Sequence, residues 1–98
     1  MHIKFFAPTM TRGHTEDLIS ALEHLERGDW RAAHRIVQRD EADAIACWAH
    51  GIVHLMEGDA SNARYWYRRA GRAFPVPADI DRELKALRRA LGRAPRSA

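Results

Sequence analysis

The sequence has a single cysteine, Cys47, so no intramolecular disulfide can form, and no Cys/His grouping shows zinc-finger spacing. That usage fits a reducing, cytoplasmic compartment. Lysine is nearly missing: arginine outnumbers it 14 to 2. No apolar run approaches the roughly 18–20 residues of a membrane span. The apolar start at Ile3, Phe5 and Phe6 is shorter than the about 7–15 residues of a signal-peptide core. Catalytic signatures are missing too. Ser20, Ser61 and Ser97 lie in no nucleophile elbow, the carboxylates fall at helix-cap positions, and there is no glycine-rich phosphate loop. No enzymatic activity and no cofactor are expected.

What is present reads as one small helical domain spanning residues 1–98. Hydrophobic residues make up 46% and charged residues 30%, enough apolar surface for a packed core and too much for a disordered chain. The net charge of +3 conceals a split. Residues 1–59 carry six Lys/Arg against ten Asp/Glu, whereas residues 60–98 carry ten against three. The basic half favours anionic partners electrostatically, although solvated helix faces often carry such a bias without function.

Gly28-Asp29 and Gly58-Asp59 each end one apolar-periodic stretch and open another, and Ala33 and Ala63 each follow the glycine by five residues. A 30-residue offset of this kind marks a helical repeat. Five helices are predicted. The first spans about 16–27, capped by Thr15, with Leu18, Leu22 and Leu25 at helical spacing. The second spans about 30–39 behind Asp29. The third, about 42–57, is apolar on most sides and therefore central. The fourth spans about 60–73 behind Asp59, before Phe74-Pro75-Val76-Pro77 breaks the chain. The fifth spans about 80–91 behind Asp79, with Glu83 one place beyond the position a capping box requires. Residues 93–98 are expected to fray.

The segment 46–75 resembles a tetratricopeptide repeat: Gly51, Gly58-Asp59, Ala63, Tyr67, Ala70 and Pro75 match its pattern and spacing. The resemblance implies two helical hairpins, a weak repeat over 14–43 and a good one over 44–75, closed by a capping helix at 79–92. It implies close packing at Gly51 and Ala63. It departs from the pattern at Trp48, one residue late, and at His50 and His54, which stand where leucine and tyrosine are usual. The run Asn62-Ala63-Arg64-Tyr65-Trp66-Tyr67-Arg68-Arg69-Ala70-Gly71 also resembles a segment of small uncharacterised bacterial proteins, a resemblance that implies no particular activity.

Three groups of residues are candidate sites. By the repeat resemblance, a ligand-binding groove consists of Leu18, Leu22, Leu25, Trp48, Ile52, Leu55 and Met56. This apolar surface suits a protein or peptide partner, a second copy of the chain, or the chain's own fifth helix or N-terminal segment. His50 and His54, one turn apart, have the spacing of two metal ligands. His24 occupies the equivalent place one repeat earlier, and Glu57 adds a carboxylate. The competing role for these histidines is packing, with hydrogen bonds to backbone or Tyr67. Arg64, Arg68, Arg69 and Arg72, interleaved with aromatics, form a basic stripe suited to anions or nucleic acid. The sequence is thus read as an all-α, non-catalytic protein-interaction module, with metal binding through His24, His50 and His54 or anion binding through the arginine stripe as alternatives. Nucleic acid and membrane are not the expected partners.

Overall fold

The computed structural model describes residues 6–92, with side chains from residue 14 onward. The fold is all-α: helices α1 (Phe6–Glu26), α2 (Trp30–Val37), α3 (Ala44–Glu57), α4 (Ala60–Ala70) and α5 (Ile80–Leu91), with no strand among the described residues. The expected fraying of 93–98, and the part of the N-terminal segment holding Ile3 and Phe5, lie outside the described residues.

Aspartates set the helix starts. Asp29, Asp43, Asp59 and Asp79 each accept a hydrogen bond from the backbone N–H three residues on, at Ala32, Ala46, Asn62 and Arg82. Each side chain satisfies one of the amides a helix start leaves without an intrahelical partner. Three of these caps are legible in sequence. The Asp43 cap corrects the predicted start of the third helix, which begins at Ala44. Thr15 is not a cap, because α1 begins at Phe6 and runs through it. At the other boundary α4 stops at Ala70, with Gly71 as its C-cap, short of the predicted residue 73.

The helices pack in chain order, α1 on α2, α2 on α3 and α3 on α4, and α5 then returns across α1 and α3. The core runs through Leu22 and Leu25 of α1, Val37 of α2, Ile52 of α3, Tyr67 of α4 and Leu87 of α5. Within the α3–α4 pair, Gly51 lets the Tyr67 ring lie against its backbone. A β-carbon there would stand 2.5 Å from Tyr67 Cδ1. Tyr67 cannot yield, because it is only 1% exposed and its hydroxyl donates to Glu83 Oε1 at 2.6 Å. The same Oε1 accepts from Trp48 Nε1 at 3.0 Å. Glu83 is therefore a tie from α5 to α3 and α4, and its offset from the capping box is explained by this role. Arg88 adds a second tie, donating through Nε and Nη2 to the two carboxylate oxygens of Glu26 on α1 at 2.9 and 2.6 Å.

Two experiments test this packing. Gly51→Ala should destabilise the fold by about 1–2 kcal/mol, since overpacking against a pinned ring outweighs the gain in helix propensity. Gly58→Val should cost about 1 kcal/mol or more for a different reason: its surroundings are open, but its φ of +89° is poor for a β-branched residue. Urea melts of both variants measure this, and an unchanged midpoint for Gly51→Ala would show that Tyr67 is not pinned. Glu83→Leu leaves the Trp48 and Tyr67 donors without their acceptor and should cost on the order of 2–4 kcal/mol. Thermal melts matching wild type would remove Glu83 from this role.

Candidate metal centre

The apolar groove expected along the first helices of the two hairpins is closed. Leu18, Leu22, Leu25, Trp48 and Ile52 are buried in the core, while Leu55 and Met56 pack partly buried against it. The reason is α5. Leu84 and Leu87 insert on α1 and α3, and the Glu83 and Arg88 ties hold them there. These residues form core, and no open groove is made from them.

The histidines behave differently from expectation in membership rather than in kind. His50 and His54 share a face of α3, their rings stacked with centres 5.1 Å apart. The third ring is His34 of α2, edge-on to both at 4.9 Å from His50 and 5.4 Å from His54. One ligating nitrogen from each of the three lies within 4.8 Å of the others. His24 is not in this group. Its Nδ1 accepts from Arg27 Nη2 at 3.0 Å in the α1–α2 turn. The repeat register pairs His24 with His54, but α2 lies directly on α3, so the third imidazole comes from there. Sequence reasoning missed His34. The available signal was its place beside Ala33, which belongs to the α2 face turned toward the core.

Two details distinguish this cluster from ordinary packing. His50 is 3% exposed, and its Nδ1 is buried without a hydrogen-bond partner. A neutral imidazole can present that atom as a lone pair or as an N–H; either way the unmet polar atom costs about 1–3 kcal/mol. His54 Nδ1 is 2.6 Å from Glu57 Oε1. A carboxylate oxygen accepts, so Nδ1 is the donor in this pair and Nε2 is the nitrogen not engaged by Glu57. Trp66 of α4 stacks flat on His50 at 3.9 Å and 9°, forming one wall. Asp59 lies near His54 and Glu57 but already caps α4.

Burial and the neighbouring rings keep His50 and His34 neutral. Burial drives the His50 pKa down to about 3, and the neighbouring His34 and His54 push the same way. His34 is also lowered, first by burial and then by His54, against an opposing pull from Glu57. Neutral imidazoles are the form that binds metal.

The basic stripe divides. Arg69 turns to the α2–α3 loop and donates to the Glu41 carbonyl at 2.6 Å. Arg64, Arg68 and Arg72 instead line one cavity with Tyr67 and Phe74. Cys47 is buried, and its Sγ donates to the Glu41 carbonyl at 3.3 Å. No family model, curated protein or solved structure matches this chain.

The lowered pKa values of His50 and His34 predict an acid limb in metal-free protein. His50 and His34 bind protons more weakly folded than unfolded, so their contribution is complete above the unfolded value near 6.5 and is lost as pH falls below it. For His50 alone the loss between about pH 6.5 and pH 5 is on the order of 2 kcal/mol. Urea denaturation in chelator across that range should show the slope, and His50→Leu should flatten it. Parallel slopes in the two proteins would place the titration elsewhere.

Proposed function

We propose that this chain is a small metal-binding helical protein in which His34, His50 and His54 hold a divalent transition metal of the zinc class. The reading rests on one observation: three imidazoles from two helices converge, and the most buried of them has an unsatisfied nitrogen. The spacing supports it. Nitrogen ligands at about 2.0–2.1 Å in tetrahedral geometry place the ring centres of their imidazoles roughly 5 Å apart. The observed separations are 4.9, 5.1 and 5.4 Å.

An all-imidazole set favours zinc, copper, nickel or cobalt over magnesium or calcium, which prefer oxygen. Glu57 serves as the carboxylate that orients His54, a common arrangement behind a ligating histidine. The role is binding rather than turnover. The frame reads as tetratricopeptide-like hairpins with a capping helix, and the lone buried cysteine suits a cytoplasmic setting. A protein-partner groove made of Leu18, Leu22, Leu25, Trp48 and Ile52 has no support, because those side chains are buried.

Protein purified without a polyhistidine tag and stripped of metal should take up one equivalent of Zn2+, or of Co2+ with the visible absorption of a tetrahedral site. At free zinc one hundred times its Kd the stabilisation is about 2.7 kcal/mol, on the order of 10 °C in Tm for a domain of this size. His34→Ala, His50→Leu and His54→Tyr should each abolish that rise, while His24→Ala should not. Binding below a tenth of an equivalent, or a Tm indifferent to zinc, would sink the assignment.

A further inference from the structure

The face of α4 away from the histidines carries a second constellation. Arg64, Arg68 and Arg72 surround a cavity of about 190 Å³, with Tyr67 and Phe74 in its wall. Arg64 and Arg68 are one helical turn apart on α4. Arg72 follows the Gly71 cap and lines the same cavity. Three like charges around one small space repel each other, and surface arginines normally relieve this by pairing with carboxylates. Among the described residues none of these three is in an ion pair. The nearby acids are already engaged: Glu83 accepts from Trp48 and Tyr67, and Asp79 caps α5.

Two of the three guanidinium groups are held against rings. Arg72 lies 3.4 Å from the centre of the Trp48 ring, and Arg64 lies 4.3 Å from that of Phe74. Stacking on a ring fixes the plane of the fork while leaving its N–H edges for another acceptor. It also removes rotamer freedom before any ligand arrives, which lowers the entropic cost of binding. The dipole at the C-terminus of α4 accounts for a cation at Arg68 in its last turn. It does not account for Arg64 a turn earlier, nor for three forks around one cavity.

We infer that this cavity binds the phosphate of a small phosphomonoester, with Arg64, Arg68 and Arg72 as its ligands. Arginine forks match the oxygens of a phosphate in pairs, and a dianion neutralises most of the local charge. The cavity is smaller than the roughly 300 Å³ at which whole-ligand pockets begin, so it takes the phosphate group alone. The organic part extends over Phe74 into an adjoining concavity of about 420 Å³ that shares Arg72 and Phe74. There Pro75 and Val76 offer apolar surface, while Asp79 and Glu83 beside Arg82 and Arg89 leave a mixed charge unsuited to a second phosphate. A nucleic acid is disfavoured for the same reason: its backbone needs a continuous basic track.

The test is a calorimetric and NMR titration of the full chain with phenyl phosphate, at low ionic strength and with chelator present to exclude metal–phosphate contacts. Inorganic phosphate, phenyl sulfate and a short oligothymidylate serve as comparison probes. Phenyl phosphate should saturate at one equivalent, inorganic phosphate should bind more weakly at the same residues, and the monoanionic sulfate should bind weakest. Arg64→Gln and Arg68→Gln, both at exposed positions, should each weaken phenyl phosphate about tenfold or more, with unchanged circular dichroism. Arg39→Gln removes the same charge from a different surface and should leave affinity within about twofold, since only long-range field is lost. Non-saturating binding, or equal losses in all three variants, would reduce the effect to diffuse charge attraction and overturn the proposal. So would tighter binding of the oligothymidylate than of phenyl phosphate.

Discussion

Glu83 Oε1 is the point on which the architecture turns. It accepts from Trp48 of α3 and Tyr67 of α4 while sitting on α5. Tyr67 is thereby fixed in the space that Gly51 leaves open, so the α3–α4 approach and the α5 docking depend on one oxygen. Burial and the Glu83 carboxylate together push the Tyr67 hydroxyl pKa far upward, in that order, so the phenol remains a donor at every physiological pH. With α5 held in this way, Leu84 and Leu87 complete a core whose other wall is α1. An inner surface that in an open solenoid would face a ligand becomes interior.

Much of this fold is legible in the residues. The Gly-Asp pairs locate two tight turns, and the asparagine- and aspartate-type cap rule identifies Asp29, Asp59 and Asp79 from local chemistry alone. Periodicity assigns Leu18, Leu22 and Leu25 to one face of α1. What periodicity cannot say is whether that face meets solvent, a partner or α5, because all three demand the same apolar stripe. Glu83 shows why. One place earlier it would have been read as a capping-box residue; its partner Trp48 lies 35 residues away in sequence, and nothing local announces the bond. The start of α1 was missed for another reason: Thr15 is a good cap by type, but a cap needs the chain before it to leave the helix, and here it does not.

The histidine site was half legible. The i, i+4 spacing gives His50 and His54, and helical geometry guarantees that they share a face. The third member depends on which neighbouring helix covers that face. Equivalence between repeats points to α1 and His24. Packing in chain order points to α2, where His34 stands. The site also carries a local cost. His50 and His54 place two imidazoles on a buried face, and one nitrogen of His50 is left without a partner. Natural sequences accept such local conflict mostly where a site needs it.

The run Tyr65-Trp66-Tyr67 shows how one short helix serves both faces at once. Successive residues on a helix point about 100° apart, so three adjacent aromatics must take three different directions. Tyr67 goes to the core, 1% exposed, and Trp66 goes to the histidines, 8% exposed. Tyr65 remains 42% exposed, against the Arg69 guanidinium. Two residues from Trp66 in either direction, Arg64 and Arg68 point to the opposite side of the helix, where with Arg72 they meet the platforms of Phe74 and Trp48. Trp48 thus carries a cation on its ring face and a carboxylate on its indole N–H. A ring in that position can tolerate neither a smaller side chain, which would drop Arg72, nor a phenyl ring, which would leave Glu83 with one donor fewer. The constraint reaches α4, α5 and the arginine cavity through a single residue of α3.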